Sequence, residues 1–265
     1  MIDERFLDEW VECLRARIPG AVAILLKGGY VRGNHEPWSD LDFDVLVFDA
    51  EIEHEYPAWI VEDDAGRLVH VSVAVDTVEG WVESFGEVAS WSFGFPSREV
   101  SRLLWLGRPS LRAELERPAH DHPGGEPEIE DFIEELGKAR NAYRRGDEIA
   151  TRLAVQEIAW LCPTLLVPLN ELRTPDTRPE ALKAALSLET APPGYREDML
   201  TCLGLSGRAT TAGEVLDAGE RLVMGTLALI EANADTFSPL LPPDFPHLIA
   251  SGLLRRYLEQ DTPPT

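Results

Sequence analysis

Apolar residues recur with two different spacings along this chain, and strand-like spacing is confined to the first 117 residues. There, apart from two stretches with helical spacing, they alternate with polar residues or form short runs between turn residues, which is typical of β-strands. Strands are predicted at 21–26, 40–48, 58–62 and 67–76, and helices at 3–18 and 77–84. From residue 128 onward apolar residues recur at helical spacing, and the predicted helices span 129–143, 149–167, 179–188, 195–203, 210–232 and 246–259.

The stretch between these two halves is rich in proline and glycine, which favour loops. Residues 118–127 contain three prolines and two glycines. The spacing of His120 and His122 could bind a metal, but no further ligand accompanies the pair, so a solvated linker is the better interpretation. The predicted fold class is therefore α+β, with a sheet domain at 1–117, a linker at 118–127 and a helical domain at 128–265.

Acidic residues outnumber basic ones, because 47 Asp and Glu against 24 Lys and Arg give a net charge of −23. Such a field repels nucleic acid and attracts cationic partners. Solubility or adaptation to salt explains the charge equally well. Three cysteines without pairing or metal spacing indicate a reducing cytoplasm. No apolar run is long enough to predict a membrane span, and the first residues lack the pattern of a signal peptide.

Candidate chemistry concentrates in residues 24–48. An apolar strand ends at Gly28 and Gly29, a polar loop follows, and the next strand carries Asp40, Asp42 and Asp44 at alternate positions. Alternation directs these three carboxylates to one face of the strand and the intervening apolar residues to the other. Like charges so close repel one another unless a cation lies between them, and Mg²⁺ prefers oxygen ligands. The sequence therefore predicts a magnesium site on this strand.

This arrangement resembles the nucleotidyltransferase superfamily, which includes DNA polymerase beta and the antibiotic nucleotidyltransferases. The family pattern is a glycine–serine turn, a loop, and two acids separated by one apolar residue. Here Gly28-Gly29 matches the turn, Asp40-Leu41-Asp42-Phe43 matches the acidic pair, and the Arg32-Gly33 and Ser39-Asp40 steps are common in the family. Gly29 stands where serine is usual, so one hydroxyl contact to a triphosphate is missing.

The resemblance implies a mixed sheet flanked by helices, and transfer of a nucleoside monophosphate from an NTP to an acceptor hydroxyl. Asp40 and Asp42 would hold two Mg²⁺ ions, with Asp44 as a further candidate ligand. The implied nucleotide-binding residues are Gly28, Gly29, Arg32 and Ser39, and Lys27 could add positive charge. In the family a neighbouring strand often supplies a third carboxylate.

At that position this chain has His70 or Ser72 by register. His70 could act as the base in place of a carboxylate, or be a histidine satisfied within the sheet. A homodimer that lends a carboxylate across its interface would also supply the missing acid, and the sequence leaves the oligomeric state open.

The order of a sheet domain and a helical domain resembles the aminoglycoside and lincosamide nucleotidyltransferases, in which the second domain helps to bind the acceptor. A polycationic small-molecule acceptor, such as an aminoglycoside, would suit the negative charge, and a nucleic acid would not. Two alternatives stay open. The chain could transfer AMP to a protein, or it could be a catalytically inactive, nucleotide-binding relative.

Overall fold

The computed structural model describes residues 4–36, 38–48, 58–63, 65–84, 90–116, 120–121, 124–242 and 245–258. The chain forms two compact units. The sheet unit consists of residues 1–87 and 98–122, and the helical unit consists of residues 88–97 and 123–265. The predicted α+β fold class is confirmed.

In the sheet unit, helices and strands follow one another in mixed order. They are α1 (Glu4–Arg17), β1 (Ala23–Lys27), α2 (Gly29–Arg32), β2 (Leu41–Val47), β3 (Ala58–Glu62), β4 (Leu68–Thr77), α3 (Val78–Glu83), β5 (Arg98–Glu99), β6 (Arg102–Leu106), α4 (Arg112–Leu115) and β7 (His120–Asp121). Within the described residues, the main sheet has five strands in the order β3-β4-β2-β1-β6. Strands β2 and β4 run parallel, and the other neighbours are antiparallel. The sheet is mixed, as the resemblance implies.

The two faces of this sheet have different coverings. On one face, α1 packs against the apolar residues of β1, β2 and β4; its buried residues are Phe6, Leu7, Val11 and Leu14. These are the helical-period positions of the predicted first helix, so that helix is confirmed. On the other face, Val78 and Trp81 of α3 and Leu115 of α4 pack against Ala23, Leu25 and Leu46 of the sheet. The carboxylates of β2 lie on this second face.

The helical unit contains α5 (Ile129–Arg144), α6 (Glu148–Leu166), α7 (Arg178–Ala185), α8 (Tyr195–Cys202), α9 (Ala212–Ala232), α10 (Ala234–Phe237), α11 (Phe245–Ala250) and α12 (Leu253–Leu258). One apolar core joins α5, α6, α8 and α9, and Phe132, Ile158, Met199 and Leu222 are fully buried in it. Helix α9 begins with a capping box, in which the Thr211 hydroxyl accepts from the Glu214 N–H and the Glu214 carboxylate accepts from the Thr211 N–H.

The segment 88–97 belongs to the helical unit although it lies far ahead of the helices in sequence. Phe93 and Phe95 are buried in a cluster with Val167 and three alanines of α7, and the Phe93 ring stacks on Trp160 at 4.5 Å between centroids. The backbone of Gly94 accepts a hydrogen bond from the Gly125 N–H at 3.1 Å. The predicted sheet domain, residues 1–117, included this segment, so that boundary is corrected.

Two predicted elements are corrected. The predicted last helix, 246–259, is interrupted by a turn at Ser251 and Gly252, because Gly252 has a φ of +68° and ends α11. The predicted linker, 118–127, begins inside the sheet unit, since residues 120–121 pair with 98–99 as a two-stranded ribbon. His122 and the acidic stretch 49–56 lie outside the described residues.

Helix α6 meets the simplest criterion for a membrane span. The stretch Glu148–Leu169 is long and apolar enough by length and composition alone, and half of its most apolar window is buried inside the protein. Ile158, Ala159 and Cys162 of this helix lie at 0% exposure in the core of the helical unit. A central core helix needs this apolar composition, so the observation is weak support for a membrane.

Candidate active site

A glycine turn closes one end of the site. Strand β1 ends at Lys27, Gly28 follows with φ 76° and ψ −157°, and α2 begins at Gly29. That combination of angles is essentially restricted to glycine. A Cβ atom at Gly28 would also overlap the Asp42 carboxylate. The turn therefore packs directly against the acidic strand, which explains why a glycine is needed at this position.

The register of the sheet places the predicted residues side by side. Lys27 of β1 lies opposite Asp42 of β2, and Asp42 lies opposite Ser72 of β4. Directly opposed residues of neighbouring strands point to the same face. The apolar residues between the acids are buried on the opposite face, beneath α1. Of the three acids predicted to share one face, Asp42 and Asp44 lie within β2 and share it, whereas Asp40 precedes the first residue of β2.

Asp42 carries the most perturbed carboxyl group of the site. Burial and the neighbouring Asp40 raise its pKa to about 6, and Asp44 adds to that effect, while Lys27 and Arg32 act in the opposite direction. A carboxylate is disfavoured when it loses water and faces another carboxylate. The pair Asp40 and Asp42 is therefore a place where a bound cation would relieve an unfavourable charge.

Asp44 is buried, with 2% of its surface exposed, and each of its oxygens has a protein partner. The Lys27 ammonium lies 2.7 Å from Oδ1, and the Trp81 indole N–H donates to Oδ2 at 2.9 Å. Burial by itself would lower the pKa of Lys27, but Asp44 together with Glu99 and Asp42 outweighs burial, and the net direction is upward. The role of Asp44 as a metal ligand stays a prediction. Its contacts with Lys27 and Trp81 indicate that it holds neighbouring elements of the protein together.

His70 lies beside Asp40 on the exposed part of the same sheet face. Its Nδ1 is 3.7 Å from Asp40 Oδ2, and both side chains are 49% exposed. His70 and Ser72 are the two residues predicted for the position of a third acid, and Ser72 is the one directly opposite Asp42. Asp76, further along β4, accepts a hydrogen bond from the Thr77 N–H at 2.7 Å beside the start of α3.

The loop between the glycine turn and Asp40 carries the remaining predicted residues. Arg32, in the last turn of α2, has a buried Nε atom without a hydrogen-bond partner. The Tyr30 and His35 rings stack at 4.3 Å between centroids. The Ser39 hydroxyl accepts from the Glu36 N–H at 2.8 Å, so it closes a turn within the loop. Contacts of Gly29, Arg32 and Ser39 with a nucleotide stay predictions.

The residues present fit a magnesium–nucleotide complex in part. Asp40 and Asp42 offer carboxylate oxygens, Gly28 lets the Asp42 carboxylate lie against the turn where a Cβ would overlap it, and Arg32 presents a donor without a partner. Among the described residues, no group of three or more His, Cys, Asp or Glu side chains is arranged to hold a metal ion. The donor set of the protein is thus two carboxylates, and nucleotide phosphates would have to complete it.

Comparison with known proteins assigns the helical half. Residues 128–232 match a family model described as the nucleotidyltransferase substrate-binding domain. The match covers 105 of the 265 residues, so it describes the helical half and not the sheet unit. The matched stretch begins one residue before α5 and ends with the last residue of α9. The helical core is therefore the part of the chain that resembles a nucleotidyltransferase substrate-binding domain.

One solved structure also resembles the chain, but the likeness is weak. A nucleotidyltransferase-like protein from Exiguobacterium sibiricum is 12% identical, with 88% of this chain and 76% of that chain covered. Its TM-score of 0.44 is too low for that likeness to support an argument. No curated protein sequence matches the chain.

Sequence reasoning missed one residue of the site, Trp81. It lies 37 positions after Asp44 and donates to it from α3. A tryptophan on an amphipathic helix is usually a core residue, and Trp81 is one, with 5% of its surface exposed. Only its buried N–H, which needs an acceptor, could have indicated a polar partner.

Proposed function

We propose that this protein transfers a nucleoside monophosphate from a magnesium–NTP complex to the hydroxyl group of a small acceptor. The observation that carries the proposal is the acidic pair Asp40 and Asp42, of which Asp42 packs against the Gly28 turn. The helical half of the same chain resembles a nucleotidyltransferase substrate-binding domain. Nucleotide transfer needs little covalent chemistry from a protein, so positioning and charge carry the catalysis.

In this proposal Asp40 and Asp42 would hold two Mg²⁺ ions, and the metal would supply activation of the attacking hydroxyl and neutralisation of the leaving pyrophosphate. Gly28 and Gly29 approach the phosphates through their backbone, since no side chain keeps the ligand away. Arg32 donates to a phosphate oxygen from its unpartnered Nε. Ser39 keeps the loop before Asp40 closed.

His70 is the proposed acceptor of the proton from the attacking hydroxyl. It lies beside Asp40 on the open part of the sheet face, with about half of its side chain exposed, so a substrate can reach it. Histidine titrates in the range where a base must work. A variant such as His70→Gln should lower kcat more than it weakens NTP binding.

The acceptor is proposed to be cationic and small. The net charge of −23 would attract an aminoglycoside-like molecule and repel a nucleic acid. A reducing, cytoplasmic location agrees with three free cysteines. ATP is the first donor to try.

One observation favours a second candidate, a nucleotide-binding relative without activity. Ser72 stands directly opposite Asp42, where the family often has a third carboxylate. A serine there cannot hold a metal ion as a carboxylate does, so the site could bind a nucleotide and catalyse nothing. Pyrophosphate release separates the two candidates, because only the enzyme produces it.

The test is calorimetric titration of ATP, GTP, CTP and UTP, each with and without Mg²⁺. The native protein is compared with the double variant Asp40→Asn/Asp42→Asn. The matched control is Asp8→Asn/Asp217→Asn, which removes the same charge from exposed positions on α1 and α9. We expect Mg²⁺-dependent binding of at least one NTP, lost in the first double variant and kept in the second.

A screen for pyrophosphate release with aminoglycosides and other small cationic alcohols then identifies the acceptor. Absence of binding to every NTP would refute the proposal as a whole. Binding without pyrophosphate release for any acceptor would favour the inactive relative.

A further inference from the structure

A chain of contacts connects helix α3 to the acidic strand and the glycine turn. The Trp81 indole N–H donates to Asp44 Oδ2 at 2.9 Å, and Asp44 Oδ1 lies 2.7 Å from the Lys27 ammonium. Lys27 is the last residue of β1, directly before Gly28, and lies opposite Asp42 in the register. Three elements, α3, β2 and β1, thus meet through one buried carboxylate.

We propose that Lys27, held in place by Asp44 and Trp81, is a positioning residue that fixes Asp42 and the Gly28 turn for the magnesium–nucleotide complex. This inference rests on the proposed function, because it concerns the same site. It assigns Asp44 to the protein framework and removes it from the set of metal ligands. Asp40 and Asp42 are then the carboxylates left for the metal.

The burial of Asp44 supports its assignment to the protein framework and not to the set of metal ligands. Its side chain is 3% exposed, and both oxygens are already within hydrogen-bond distance of a donor. Each oxygen keeps a second lone pair, but with 3% of the side chain exposed a metal ion could reach Asp44 only if this packing opened, which would disturb its contacts with the Lys27 ammonium and the Trp81 N–H. Asp40, in contrast, is 49% exposed, and His70 Nδ1 lies 3.7 Å from one of its oxygens.

The surroundings of Lys27 support the inference that this residue fixes the position of the Asp42 carboxylate. The charged groups around its ammonium are Asp44 and Asp42 on β2 and Glu99 on β5. Since the ammonium is tied to Asp44, it cannot follow the Asp42 carboxylate or a bound phosphate, and it keeps a positive charge at one place beside them. Movement of Lys27 would also move Gly28, whose backbone packs against Asp42.

The simpler alternative is that the three residues form a buried ion pair that only stabilises the sheet. A purely structural role predicts a lower free energy of unfolding in the variants and unchanged nucleotide affinity in the protein that remains folded. Positioning predicts weaker nucleotide binding even when folding is intact. The two roles therefore differ in a ligand-binding measurement on folded protein.

The experiment uses the full chain and calorimetric titration of Mg²⁺ with the nucleotide that the native protein binds. Trp81→Phe removes only the N–H donor, Lys27→Met removes the ammonium, and Lys27→Arg restores a positive charge. Lys138→Met is the control for net charge, because Lys138 is exposed on α5 and pairs with Glu134 and Glu135. Circular dichroism and thermal unfolding establish which variants fold.

We expect Lys27→Met and Trp81→Phe to weaken binding about tenfold, as residues that orient metal ligands do. Lys27→Arg should recover part of the affinity, and Lys138→Met should bind as the native protein. Native affinity in folded Trp81→Phe would overturn the inference, and so would native affinity in Lys27→Met. If Lys27→Met does not fold, Trp81→Phe, which keeps the charge and the ring, decides the question.

If the proposed function itself is wrong, the native protein will bind no nucleotide. This result differs from native nucleotide affinity in the variants, which overturns only the role of Lys27. If no nucleotide binds, crystal structures of the native protein and of Trp81→Phe supply the readout. A displaced Asp42 carboxylate or Gly28 turn in the variant supports positioning. An unmoved Asp42 overturns it.

Discussion

Substitution of Gly28 by alanine tests the contact between the glycine turn and the acidic strand. Two penalties combine at this position. The backbone has φ 76° and ψ −157°, a region that costs a non-glycine residue about 1–3 kcal/mol. The added Cβ would overlap the Asp42 carboxylate, so Asp42 has to turn away. We expect Gly28→Ala to be less stable and to lose most of its magnesium–nucleotide affinity.

The matched control is Gly66→Ala in the hairpin between β3 and β4. Gly66 has a φ of +75°, and a Cβ there would approach only the end of the Glu62 side chain at 3.4 Å. Its cost is the conformational penalty alone, about 1–2 kcal/mol. Gly66→Ala should therefore lose stability and keep native nucleotide affinity.

The assay combines urea denaturation, which gives the apparent free energy of unfolding, with calorimetric titration of the magnesium–nucleotide complex. A high-resolution crystal structure of Gly28→Ala should show the Asp42 carboxylate displaced from its native position. Equal stability and equal nucleotide affinity of the two glycine variants would refute the argument, because the Asp42 contact would then cost nothing.

Two further predictions concern the helical unit. Ile158→Ala opens a cavity at a fully buried position and should lower the free energy of unfolding, measured in urea, by about 2–5 kcal/mol. Its control is Leu153→Ala on the same helix, where the side chain is 58% exposed and the free energy of unfolding should change little. The backbone N–H of Thr211 and the Arg208 guanidinium lower the pKa of Glu214 from 4.5 to about 2. Because this folded-state pKa is depressed, the contribution of Glu214 is present above pH 4.5 and lost as pH falls toward 2. Acid unfolding of Glu214→Gln should lack that part of the pH dependence, and an unchanged profile would contradict the capping contact.

The alternation of residues along β2 made the acidic strand predictable. One face of a strand that is half buried must be apolar, so Leu41, Phe43 and Val45 indicate which way Asp42 and Asp44 point. The first helix was predictable for the same reason, since four buried residues recur at helical spacing. These features depend only on neighbours in the sequence.

Contacts between distant segments could not be predicted in this way. The hydrogen bond from Trp81 to Asp44 joins residues 37 positions apart, and the chain between them includes a whole hairpin. Phe93 and Phe95 alternate as strand residues do, but their partners on α6 and α7 lie more than sixty positions later. The spacing of residues contains no information about which distant surface an apolar side chain will cover.

The position of residues 88–97 in the helical unit affects how this protein can be divided and how it is synthesised. A fragment that begins at Pro123 would lack Phe93 and Phe95 and would leave Trp160 and the alanines of α7 uncovered, so a single cut cannot release an intact helical unit. On the ribosome, Phe93 and Phe95 emerge well before the residues that bury them. Two phenylalanines therefore stay exposed on the growing chain until α7 has been made, and a chaperone that binds short aromatic segments has its target in that interval.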